Sequence, residues 1–113
     1  MITTYAIMSD VEAKTAKVSI WFKIKGREKI VYHEFDTSSL SQFYKLTFIL
    51  DTTKAKSLDS LKEKSLRVIY TEGKEASIVA IGDPINNKFV DLQTEELHTV
   101  SERKIYWRYR KKV

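Results

Sequence analysis

Residues 103–113 read Arg-Lys-Ile-Tyr-Trp-Arg-Tyr-Arg-Lys-Lys-Val, a stretch in which cations are interleaved with flat aromatic rings. Single-stranded nucleic acid binding uses both side-chain types: charge neutralises phosphates, and rings stack on unpaired bases. Six of the 20 basic residues and none of the 15 acidic ones fall in this stretch, which leaves 14 against 15 in the remaining chain. The net charge of +5 is therefore a property of one end. Alternation predicts a β-strand here, with Ile105, Trp107 and Tyr109 on a core face. Lys104, Tyr106, Arg108 and Arg110 then face water. A second predicted strand, residues 17–25, turns Trp21, Lys23 and Lys25 outward. Lying side by side, the two strands merge into one platform. Lys23, Lys25, Lys104, Arg108, Arg110, Lys111 and Lys112 supply its cations, and Trp21 and Tyr106 its stacking surfaces.

Other chemistry is sparse. There are two histidines, His33 and His98, in separate segments and without metal-ligand spacing. The absence of cysteine removes thiol nucleophiles, disulfides and thiolate metal sites. Glu95 and Glu96 are adjacent, so in a strand they point to opposite faces, poor geometry for shared acid–base work. Gly26, Gly73 and Gly82 are too scattered for a phosphate-cradling loop, and no serine sits in Gly-x-Ser-x-Gly. The expectation is a non-catalytic chain with no cofactor, no metal and no evident small-molecule substrate, whose partner is RNA. The alternative is a protein–protein interaction module that turns the same basic-aromatic face to an acidic partner. A third reading makes the basic end a protected sheet edge.

The elements that must position these residues are mostly strands. At 113 residues, with 42% hydrophobic content, the chain suits one domain, residues 1–113. Residues 2–8 predict a first strand, with Thr3, Tyr5 and Ile7 on one face, and residues 9–15 a polar loop. Residues 17–25 alternate most strictly: Val18, Ile20, Phe22 and Ile24 inward, charged and aromatic residues outward. Gly26 turns the chain into a hairpin partner at 29–35. Ser39 and Gln42 have capping-box spacing, which starts a helical turn at Leu40. Thr47, Phe48 and Ile49 favour a strand over 43–50, although helical spacing also groups Leu40, Phe43, Tyr44, Thr47 and Phe48. Residues 51–64 are the best helix candidate. A second hairpin joins 66–71 to 76–81, and the apolar run Ile78-Val79-Ala80-Ile81 suits a strand buried on both faces. Short strands follow at 89–92 and 97–100. Seven or eight strands with one or two short helices read as a mostly β chain, a β-rich α+β pseudo-barrel. The opening Met-Ile-Thr-Thr-Tyr-Ala-Ile-Met has no signal-peptide character, and no run reaches the ~20 apolar residues of a membrane helix. The expected location is cytoplasmic, away from membranes.

The passage Leu-Asp-Ser-Leu-Lys-Glu-Lys-Ser-Leu-Arg-Val-Ile at 58–69 and the aromatic, basic end resemble the small PrgU-like proteins of conjugative plasmids in Gram-positive cocci. The resemblance implies a PUA-like fold, a compact β-barrel associated with RNA binding. It also implies a regulatory protein that damps expression of conjugation or surface-protein genes. RNA-binding PUA domains commonly carry a glycine-containing loop beside the RNA; no glycine-rich stretch occurs here.

Overall fold

A computed structural model describes residues 1–73 and 75–110. Among these, six antiparallel strands form one sheet: β1 (Ile2–Lys14), β2 (Lys17–Ile24), β3 (Lys29–Asp36), β4 (Ser65–Thr71), β5 (Ser77–Gly82) and β6 (Phe89–Asp91). Two helices, α1 (Leu40–Thr53) and α2 (Glu102–Arg110), and a 3-10 turn at Asp59–Leu61 complete the described chain. The strand order β3-β2-β1-β4-β5-β6 puts β1 at the centre. The sheet curls into a half-barrel, so that β3 and β5 approach each other across its concave side. Strand accounts for 42% of the described residues and helix for 24%, which agrees with the mostly β expectation.

The concave side is the core. Val18, Ile20, Phe22 and Ile24 are all buried there, as alternation predicts, together with Ala6 and Met8 of β1 and Leu66, Val68 and Tyr70 of β4. α1 closes this side with Leu46 and Ile49. A smaller cluster of Ile69, Val79, Ala80, Phe89, Val100 and Ile105 lies on the convex side beneath α2. β5 is thus covered on both faces, and Ile78, Val79, Ala80 and Ile81 are all buried. At the end of β5, a Cβ on Gly82 would meet the Phe89 ring at 2.2 Å, so the ring requires glycine beneath it.

Several expected boundaries are corrected. The polar loop at 9–15 is strand: β1 continues to Lys14 through a bulge between Met8 and Asp10. One extra residue shifts the inward phase from Met8 to Val11, so the polar residues that look loop-like are the bulge and the solvent face. The strand expected at 43–50 is helix. Gln42 N–H donates to Ser39 Oγ at 3.5 Å, while Gln42 Oε1 accepts from Asp36 N–H at 2.7 Å rather than closing a reciprocal box. β-propensity differences span only about 1 kcal/mol. Burying Ile49 completely is worth roughly 1.5–3 kcal/mol, so packing decides. The helix expected at 51–64 ends instead at Thr53. Lys54 adopts φ 58, and its N–H and that of Ala55 bond Asp51 O and Leu50 O. Past that point Ser57 and Ser60 bond each other and the local backbone, which competes with helix. Residues 97–100 contribute only the bridge of Val100 to Phe89.

The largest correction falls on the basic end. Its described part is α2, not a strand. Ser101 accepts from Lys104 N–H at 3.2 Å through Oγ and from Ile105 N–H at 3.2 Å through its carbonyl, an N-cap. Glu102 lies in the first turn and Arg108 and Arg110 in the last, each complementing the helix dipole. Ile105 is buried and Tyr109 half-buried, four residues apart, a spacing that strand and helix both satisfy. Trp107 separates the two periods: expected in the core, it is 54% exposed.

Candidate nucleic-acid interface

Pairing fixes which side chains share the convex face. Thr3 pairs with Ile69, Ile69 with Ala80, and Ala80 with Asp91, giving one row across four strands. α2 lies on that row. Tyr106 Oη meets Thr3 Oγ1 at 2.7 Å, Ile105 packs with Ile69 and Ala80, and Tyr109 Oη donates to both Asp91 oxygens at 2.7 Å. Arg108 Nη1 donates to Asp91 at 2.9 Å and to Glu96 at 2.5 Å, while Nη2 reaches Glu96 at 2.7 Å. These bonds hold the Glu96 carboxyl down at about 2 and push the Arg108 value up. Arg108, expected to meet phosphate, is therefore corrected: its fork is filled by two carboxylates and it anchors α2. Tyr106, expected as a stacking surface, is half-buried and tied to β1 by its hydroxyl. Lys104 and Arg110 remain exposed on α2. Lys111 and Lys112 lie outside the described residues.

Among the described residues, no helix covers the other half of the convex face, over β1, β2 and β3. One row runs Ile30–Lys23–Ile7–Ser65, and beside it Trp21 pairs with Tyr32. Tyr5 stands 42% exposed, Ile7 40%, Tyr32 49% and Ile30 57%. Trp21 is half-buried because it packs on Tyr32, ring centroids 5.1 Å apart and tilted by 53°. Lys23 and Lys25 are exposed as expected. Lys25 N–H donates to Tyr5 O at 2.9 Å, which sets its Nζ 5.8 Å from the centre of the Tyr5 ring, within cation–π range. A groove of about 690 Å³ opens here, lined by Tyr5, Ile7, Lys23, Lys25, Arg27 and Ser65 among others. Arg27 shares its charge with Glu72 at 2.9 Å. The face is polarised: cations gather at the β2–β3 turn, whereas at the far end Glu12 pairs with Lys14 and Glu34 with Lys17.

The expected platform is thus re-formed rather than kept. Trp21, Lys23 and Lys25 share the convex face with α2, but α2 forms a wall along the Thr3 row instead of a coplanar strand. Tyr5, Ile7, Tyr32 and Arg27 were not among the expected site residues. Their signal was present, since inward Ala6 and Met8 force Tyr5 and Ile7 outward. The arrangement offers aromatic faces beside ammonium groups on a rigid sheet, suited to stacking and phosphate neutralisation. Among the described residues no group of three or more histidines and carboxylates is placed to hold a metal, and no helix is long and apolar enough to cross a membrane. No family model, curated protein or solved structure matches the chain.

Proposed function

We propose that this protein is a non-catalytic, cytoplasmic regulator that binds single-stranded RNA on the convex face of β1, β2 and β3. One observation carries the reading: on one open sheet face, Tyr5 lines a groove with Lys23 and Lys25, and Trp21 and Tyr32 line the depression beside it. Exposed rings on a sheet are a recurrent way of stacking unpaired bases, and sheet rigidity keeps the entropic cost of binding low. Phosphates are taken by Lys23 and Lys25, and by Lys104 and Arg110 on the α2 wall. The regulatory role, damping conjugation or surface-protein genes through a PUA-like domain, rests on the resemblance to PrgU-like proteins.

A protein partner with an acidic surface is the second reading. Ile7 and Ile30 favour it, because exposed aliphatic side chains add contact area but no stacking. Amide-resonance mapping separates the two. Single-stranded RNA should shift Tyr5, Ile7, Trp21 and Lys23 and leave the exposed α1 residues Leu40 and Phe43 unmoved. No shift at low salt contradicts RNA binding.

A further inference from the structure

The half-barrel is open along a seam between β3 and residues 92–95, on the concave side away from the proposed RNA face. A cavity of about 330 Å³ occupies this seam. Lys45 of α1 lies at its floor, only 2% exposed, with Nζ donating to Thr94 O. Among the described residues no carboxylate comes within ion-pair distance of that ammonium. A lysine is almost never so buried unless an anion accompanies it, because desolvating an unpaired charge is costly. Asp91, Glu96 and Glu95 act on the ammonium only from beyond ion-pair distance, and most of the neighbouring carboxylates have closer partners. Asp91 and Glu96 are held by Arg108, and Glu34 accepts from Tyr32 and pairs with Lys17. Glu95 stands exposed on the rim.

The cavity supplies what a counter-ion needs. Nζ has two N–H groups beyond the one given to Thr94. The Ser41 hydroxyl lines the same space from one turn earlier on α1, and the first turn of that helix carries no acid to repel an anion. The His33 ring lines the opposite wall, edge-on to Phe35 at 4.6 Å, with no hydrogen bond to another described residue. We propose that this seam is a binding site for a small oxyanion, a phosphate or a carboxylate, held by Lys45 and Ser41 with His33 at its side. Glu95 at the rim repels larger polyanions and restricts the site to small ions of low charge.

Nuclear magnetic resonance on the labelled full-length protein tests this at constant ionic strength, with sodium phosphate and sodium acetate added separately. Saturable shifts at Lys45 Nζ and the His33 ring are expected with at least one of the two, and the tighter one identifies the source. The bound anion screens Lys45, so the His33 imidazole, held at about 4 by burial and then by the Lys45 charge, titrates at higher pH once whichever anion binds is saturating. Lys45→Met should weaken binding by about tenfold or more, and Glu95→Gln should tighten it. Shifts that never saturate with either anion, or that persist in Lys45→Met, overturn the site. Should Lys45→Met fail to fold, a His33 titration that is unchanged in both phosphate and acetate overturns it alone.

Discussion

Arg108 holds α2 to the sheet through Asp91, whose side chain is fully buried at 0% exposure, and through Glu96. Removing the cation leaves Asp91 uncompensated, so Arg108→Ala should cost about 3–5 kcal/mol in urea unfolding. Arg108→Lys should recover only part, because an ammonium cannot fork between two carboxylates. Acid should act on the fold in two steps. His33, lowered from 6.5 to about 4 by burial and then by Lys45, refuses a proton that the unfolded chain accepts, so stability falls as pH drops from 6.5 to about 4. Glu96, lowered from 4.5 to about 2 chiefly by the Arg108 hydrogen bonds, contributes stability above pH 4.5 that is lost as pH falls toward 2. His33→Phe should abolish the upper step and spare the lower one, as read by denaturant midpoints across pH. Register is tested by neighbours: Phe22→Ala should cost roughly 3–5 kcal/mol, and Lys23→Ala under about 0.5 kcal/mol. Equal costs would mean that β2 is placed one residue out.

At the scale of elements, caps decide where helices stop and start. Lys54 holds φ 58 in a Schellman turn, a conformation glycine adopts without strain. Lys54→Gly should therefore stabilise by about 0.5–1 kcal/mol, whereas Ser101→Ala, removing the α2 cap, should destabilise by about 1 kcal/mol in the same thermal melts. Gly82→Ala drives a methyl into Phe89 and should cost about 1–3 kcal/mol. These positions also show what the sequence could and could not reveal. The β2–β3 hairpin was legible because one buried face and one wet face force alternation, and the β4–β5 hairpin because a strand covered on both faces reads as an unbroken apolar run. The bulge after Met8 was not, because a single inserted residue resets the phase and leaves a polar run that resembles a loop. At 43–50 local preference favoured strand, and burial of Leu46 and Ile49 overrode it. At 103–110 the core residues Ile105 and Tyr109 fit both periods. The usable clues were outside the pattern: Ser101 as a cap, Glu102 in the first turn and cations in the last. The exposure of Lys23, and of Lys25 just past β2, was legible from the alternation that runs through that strand. The engagement of Arg108 was not, because nothing local in sequence announces Asp91 and Glu96 as its partners.

The whole molecule presents two sides: a concave core closed by α1, with the seam at Lys45, and a convex face half walled by α2 and half open. If the open half binds RNA, affinity should depend on salt, because neutralised phosphates release condensed counterions. The most direct measurement is the affinity of a labelled single-stranded RNA at several salt concentrations, for the wild type and two variants. For about four neutralised phosphates, log affinity against log salt should slope near −3. Lys23→Ala with Lys25→Ala should flatten that slope by up to about 1.4 units. Tyr5→Ala should weaken binding by roughly 1–3 kcal/mol while leaving the slope nearly intact, because stacking releases few ions. A wild type that binds no RNA at low salt, or whose slope is unchanged without Lys23 and Lys25, would contradict RNA binding on this face.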